Sequence, residues 1–196
     1  MSFIKTMTQK WEKICRGNSI LFRLYALPYR KTVRREIKLA DIKSEDRVLN
    51  IGCGALPFTA YYLARFSGAD VIAVDRDKQA LKAAQRSLKN SLNNETTSVK
   101  VKHCKGKQAI DHYDVDVIIA ALQTENKLQI LQHLHQTRST TRWKFVVREP
   151  RNKFAAQYDS LSENISPEGQ AKQYFPTFDR SILYTDNAKL NFQEAG

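Results

Sequence analysis

The chain has few of the residues that cross-link small folds. Its three cysteines, Cys15, Cys53 and Cys104, are odd in number and scattered, with no CxxC pair, which disfavours a disulfide framework or a zinc site. His133 and His135 stand two residues apart, on different faces of a helix, where a helical metal pair needs a spacing of three or four. We expect no metal. No apolar run approaches the roughly 20 residues needed to span a bilayer. The opening Met1-Ser2-Phe3-Ile4-Lys5 lacks the basic head, apolar middle and small-residue cleavage site of a secretory signal. Internal repeats and low-complexity stretches are absent as well. A cytoplasmic protein is the expectation.

What is present is an ordinary globular composition with an uneven charge. The 196 residues are 42% hydrophobic and 27% charged, enough for one domain with a buried core. The net charge is +12. Residues 1–40 hold ten Lys or Arg against two Glu, so most of the excess sits at the N-terminal end. Two readings stand side by side: a solvated helical face, or a contact with an anionic partner. The stripe Phe3, Met7 and Trp11 among cations resembles an interfacial helix. It suggests peripheral contact of residues 1–40 with an anionic membrane, ahead of nucleic acid.

The periodicity divides the chain into residues 1–44, a basic helical segment, and 45–196, a sandwich of alternating elements. Helical spacing covers Phe3 to Ile14. Ser19 caps a second helix to Leu27, Pro28 interrupts, and a third runs from Tyr29 to Ala40. From residue 47, strands (Arg47–Ile51, Val71–Val74, Val99–His103, Val115–Ala121, Lys144–Val147) alternate with helices (Leu56–Phe66, Lys78–Leu92, Glu125–Gln136). This pattern predicts an α/β, doubly wound, Rossmann-like parallel sheet covered on both faces. Ser181–Tyr184 and Leu190–Phe192 flank the turn pair Asp186-Asn187, predicting an antiparallel C-terminal hairpin.

The chemistry concentrates where the first strand ends, at Asn50-Ile51-Gly52-Cys53-Gly54-Ala55-Leu56-Pro57. Glycines there let the backbone turn sharply and approach a ligand, and the next helix offers its N-terminal amides. A dinucleotide fingerprint needs another glycine where Pro57 stands, which argues against NAD. The second strand ends at Asp75, 21 residues after Gly54, where a carboxylate can accept both hydroxyls of a ribose.

Val48-Leu49-Asn50-Ile51-Gly52-Cys53-Gly54 followed by Val71-Ile72-Ala73-Val74-Asp75 resembles the first two motifs of class I S-adenosylmethionine (SAM) dependent methyltransferases. The resemblance implies SAM as cofactor, held around Asn50, Gly52, Cys53, Gly54, Leu56, Pro57, Asp75, Arg76, Gly106, Ala121 and Leu122. The family's frequent acidic residue after strand three is missing: Cys104-Lys105-Gly106-Lys107 stands there. Gly52 to Thr59 and Tyr113 to Leu122 are also similar to stretches of nicotianamine synthases, which transfer the aminocarboxypropyl group of SAM. Asn-Pro-Pro-Tyr is absent after strand four, which lowers the case for adenine or glutamine N-methylation. Candidate catalytic residues are Tyr25, Tyr29 and Glu125; Glu125 also reads as a dipole-favoured residue in a helix's first turn. Arg148 and Arg151 can hold an anionic substrate group or face solvent. The expectation is methyl transfer to a small or lipid-like acceptor, with aminocarboxypropyl transfer as the alternative. A third reading is a non-catalytic SAM-binding module contacting membrane or RNA.

Overall fold

The computed structural model describes residues 19–92, 98–139, 141–161 and 165–188. The helix expected over residues 3–14, with its Phe3, Met7 and Trp11 stripe, lies outside them, as does the expected strand at 190–192.

The elements follow in the order α1 (Ser19–Leu39), β1 (Arg47–Ile51), α2 (Phe58–Ser67), β2 (Asp70–Asp75), α3 (Lys78–Leu92), β3 (Val99–His103), α4 (Gly106–His112), β4 (Val117–Ala120), α5 (Lys127–Thr137), β5 (Lys144–Pro150), a 3-10 turn (Asn152–Gln157), β6 (Gly169–Lys172) and β7 (Phe178–Thr185). The strands form one sheet ordered β3-β2-β1-β4-β5-β7-β6. β1 to β5 are mutually parallel, and β7 joins β5 antiparallel with Val147 opposite Ile182.

Period-two alternation sends neighbouring residues to opposite faces. Val48, Val71, Val117, Ile119 and Val146 pack under α1, α2 and α3 with Val33, Tyr61, Leu63 and Leu81. Leu49, Val74, Ile118, Phe145 and Val147 pack under α4 and α5 with Ile110, Leu131 and Leu134. Both faces are covered, so the central strands read as continuous apolar runs.

Three expectations need correction. Pro28 does not divide the N-terminal region: α1 is one helix of 21 residues with Pro28 inside it. Proline removes a single intrahelical bond. Ala26 and Val33, on either side of it, are both fully buried against the same core, and this packing holds the helix together. The hairpin exists, but the partner of β7 is β6, with Gly169 opposite Leu183 and Lys172 opposite Arg180. The sequence Gly-Gln-Ala-Lys has no apolar alternation to announce a strand. Finally, α5 begins at Lys127, not Glu125, after Asn126 in the left-handed region (φ 57°). Leu131 and Leu134 are buried, as a face made by Leu128, Leu131 and Leu134 would have them, but Leu128 is 44% exposed and Lys127 is buried at the helix start.

Candidate functional site

The first strand delivers the chain into a turn that only glycine fits comfortably. Gly52 and Gly54 have φ of +77° and +64°, a region costly for other residues. The N–H groups of Gly52 and Cys53 both donate to the Val74 carbonyl, at 2.9 and 3.1 Å. A Cβ on Gly52 would lie 2.9 Å from Thr124 Oγ1. That hydroxyl donates to the Ile51 carbonyl at 3.2 Å, so the end of β1 and the loop after β4 are locked together. Gly54 is different: a Cβ there would meet nothing within 4 Å.

Asp75 closes β2 beside this turn. One carboxylate oxygen accepts from Gly54 N–H at 2.8 Å and the other from Asp77 N–H at 2.9 Å. A carboxylate offers about four lone-pair positions, so each oxygen keeps one for an incoming hydroxyl. The two backbone bonds fix the rotamer before any ligand arrives.

A cleft of about 410 Å³ opens here, lined among others by Gly52, Gly54, Asp75, Arg76, Gly106 and Glu125. These six of the sequence-derived candidates meet around one space, a size suited to a nucleoside-type ligand. Other candidates form its backing. Asn50 is buried, its Nδ2 donating to Ile119 O at 3.2 Å. Cys53, Pro57 and Leu122 are buried, and Leu56 and Ala121 are partly so. Burial, with Asp75 adding to it, pushes the Cys53 thiol up to about 12.

The catalytic candidates separate. Glu125 lines the cleft, and its two oxygens accept from Arg76 Nη1 and Nη2, each at 2.7 Å. Hydrogen bonding from Arg76 holds its carboxyl below the usual range; a carboxylate so held is a poor proton acceptor. Tyr25 and Tyr29 sit away from the cleft lining, against the α2 side of the core. The Tyr29 ring packs on Phe58 and Phe175 with centroids at 5.4 and 4.7 Å, and burial pushes its hydroxyl up. Arg148 is neither solvated nor free. It is 3% exposed and grips the fully buried Glu36 carboxylate through Nε and Nη2, both at 2.8 Å. Arg151 donates to the Phe175 carbonyl at 2.9 Å.

Cleft residues without a sequence signal are Gln108, Gln129 and Ile130, which also line it. Lys127, buried at the start of α5 next to this lining, gave no signal either, because the sequence places the helix start at Glu125. After β3, where the sequence lacks the carboxylate many class I methyltransferases carry, Cys104, Lys105, Gly106 and Lys107 line the wall. Among the described residues no cluster of His, Cys, Asp and Glu could hold a metal.

Strand order, glycine turn and the acidic end of β2 define a fold, and residues 49–142 match the family model of a methyltransferase domain. The chain has the class I methyltransferase fold. Among solved structures, the domain resembles the nicotianamine synthase MtNAS in complex with MTA and tNA. The TM-score is 0.76 at 18% identity, covering 91% of this chain and 69% of that one. Magnesium protoporphyrin IX methyltransferase from Synechocystis PCC 6803, with bound SAH, matches at TM-score 0.58 and 15% identity, covering 81% and 84%. At such identities these likenesses speak for the fold alone. A curated relative, L-histidine 2-aminobutanoyltransferase of Yersinia pestis, is 34% identical over 118 residues, 59% of this chain and 43% of that protein. The same enzyme of Pseudomonas aeruginosa is 42% identical over 55 residues, 28% of this chain and 21% of that one. The chain thus spans less than half the length of the curated relatives it matches.

Proposed function

We propose that the protein is a SAM-dependent transferase that moves the cofactor's 2-aminobutanoate (aminocarboxypropyl) arm, in preference to its methyl, to a small nucleophilic acceptor. The observation that carries the cofactor half is Asp75, held by Gly54 and Asp77 with a lone pair left on each oxygen. Gly54, where a Cβ would meet nothing within 4 Å, leaves the cofactor room, Gly52 lets the turn close against Thr124, Asp75 holds the ribose, and the Cys104–Gln108 wall and Ile130 flank the base. The group half is supported by the curated relatives, whose name is that of a 2-aminobutanoyl transfer to L-histidine. An amino-acid amine or imidazole is therefore the acceptor class we favour. Methyl transfer, supported by the family model, is the second reading.

When bound, SAM supplies a sulfonium whose carbons are all open to displacement. Attack on the aminocarboxypropyl carbon leaves methylthioadenosine, and attack on the methyl leaves S-adenosylhomocysteine. The protein's part is to hold the chosen carbon toward the acceptor at about 3–3.5 Å and to exclude water. The acceptor gives up its proton after attack, and Tyr29, kept protonated by burial, is poorly suited to take it at neutral pH. Incubation with SAM and histidine, followed by mass spectrometry of the nucleoside product, decides the matter. Methylthioadenosine above the spontaneous background, lost in Asp75→Ala, is the expected result. S-adenosylhomocysteine in its place would establish the methyl reading, and neither product would remove both for this acceptor.

We also propose a peripheral contact with anionic membrane. It is supported by the exposed side of α1, where Leu24, Leu27, Arg30, Lys31, Arg34 and Lys38 face solvent and Glu36 is buried. Among the described residues no helix is long and apolar enough to cross a membrane.

A further inference from the structure

Lys127 is a cation placed where helices disfavour one, at the first turn of α5, with its whole side chain buried. Burying an ammonium is costly unless its protons are all taken. Here they are. Nζ donates to the carbonyls of Leu122 (3.1 Å), Arg148 (3.3 Å) and Asp159. An ammonium has three donors and no acceptor, and three carbonyls meet it. The three belong to separate segments: the loop after β4, the end of β5, and the stretch beyond the 3-10 turn. A fourth tie comes from the backbone, where Lys127 N–H donates to Asp159 Oδ2 at 2.9 Å.

The position of these ties matters. Between Leu122 and Lys127 lie Gln123, Thr124, Glu125 and Asn126, and all four line the cleft. The loop is pinned at its start by Ala121 N–H to Ile51 O at 3.0 Å and near its middle by the Thr124 hydroxyl. At its far end the pins are those of Lys127. Asn126 stands in the left-handed region immediately before it (φ 57°), a strained conformation that needs a firm neighbour.

We propose that Lys127 is a positioning residue for the cofactor cleft: its ammonium ties the Gln123–Asn126 wall to β5 and to Asp159, and so sets that wall's place against the ligand. The proposal rests on the cofactor reading above. It concerns a residue that touches no ligand itself, and it predicts a signature that a purely packed side chain lacks. Burial lowers the Lys127 pKa to about 8, against the pull of Glu149 and Asp159 and aided by Arg148. These three are the charged groups that face it. Below this value three protons meet three carbonyls; above it two protons remain, and one carbonyl is left buried without a donor.

The experiment is calorimetric titration of S-adenosylhomocysteine, a probe stable in base, into wild type, Lys127→Met and Lys127→Arg from pH 6.5 to 9.5. Wild-type affinity should be constant to about pH 7.5 and fall several-fold by pH 9.5. Lys127→Met should bind about tenfold more weakly at pH 7, the effect of one charge-assisted hydrogen bond, with no further alkaline loss. Lys127→Arg, charged throughout, should lack the alkaline fall. Cys104 also lines the cleft and its thiol is raised by burial, so the series is repeated in Cys104→Ala, where the fall should persist. If Lys127→Met does not fold, wild type against Lys127→Arg decides: an alkaline fall shared by both belongs to the ligand's own amino group or to another residue and overturns the proposal. A flat wild-type profile, a fall that vanishes in Cys104→Ala, or a Lys127→Met that binds like wild type would overturn the proposal. No binding by wild type at any pH would overturn the cofactor reading itself and this proposal with it.

Discussion

Arg76 and Glu125 join hands across the cleft, guanidinium to carboxylate, with both hydrogen bonds at 2.7 Å. Arg76 follows β2 and Glu125 follows β4, and these strands flank β1 in the sheet. The pair therefore spans the Gly52–Gly54 turn, about 10 Å across at the usual strand spacing. Exposed pairs contribute at most about 1 kcal/mol, so the link is one that thermal motion opens readily. Glu125→Gln should raise the dissociation rate of S-adenosylhomocysteine up to about fivefold. The charge swap Arg76→Glu with Glu125→Arg should restore it, and 0.5 M salt should mimic the single change. Stopped-flow rates that are the same in all variants would show a surface pair with no part in ligand exchange.

Asp75 carries the heaviest expectation. Two hydroxyl hydrogen bonds to a carboxylate are each worth about 1.5–3 kcal/mol, so Asp75→Ala should weaken S-adenosylhomocysteine at least about tenfold. The substitution also strips Gly54 N–H of its acceptor. A melting temperature measured alongside separates lost contact from lost fold. Unchanged affinity would take Asp75 out of the site.

The Gly52 turn tests the geometry beneath the site. Gly52→Ala combines a positive φ with a Cβ 2.9 Å from Thr124 Oγ1. We expect a loss of roughly 1–2 kcal/mol or more from conformation alone. The double variant with Thr124→Ala should recover only the steric part. Denaturant unfolding of the set gives the numbers; a stable Gly52→Ala would contradict the described turn.

For Cys53 the sign of the shift is simple. Its thiol, raised to about 12 by burial, has almost no thiolate at pH 8, and the thiolate is the reactive form. Iodoacetamide at pH 8 should leave Cys53 unlabelled in the native protein and label it in urea, as read by peptide mass spectrometry. Rapid native labelling would mean that the turn opens.

Much of this is legible in the sequence. β1, β2 and β4 are apolar runs whose neighbours dictate little else, and a glycine turn after the first with an aspartate after the second already outlines a ligand site. What stayed hidden depended on distant partners. Pro28 follows a local rule that buried Ala26 and Val33 override together. Arg148 looks like a surface cation until Glu36, 112 residues earlier, is seen facing it. Glu125 gave no hint of Arg76, nor Lys127 of the three carbonyls, because hydrogen-bond acceptors on the main chain leave no mark in a sequence. The group to be transferred is hidden for a different reason: the fold binds the same sulfonium whichever carbon is presented.

The Glu36 carboxylate has a consequence for how the molecule assembles. Its partners Arg148 and Ser181 stand 112 and 145 residues further along the chain, and Ser181 lies on β7, which separates β5 from β6 in the sheet. Until β7 docks, β6 has no neighbour and Glu36 has lost an acceptor site's worth of solvation without its full set of donors. Helix α1 therefore cannot seat finally on the sheet before the last strand arrives. Contacts of such long range slow folding and make it all-or-none. A chain cut before Phe178 would keep the Glu36–Arg148 pair but lose the Ser181 donor and the strand between β5 and β6; with β5 left an open edge and β6 without a neighbour, it should fail to form a stable domain.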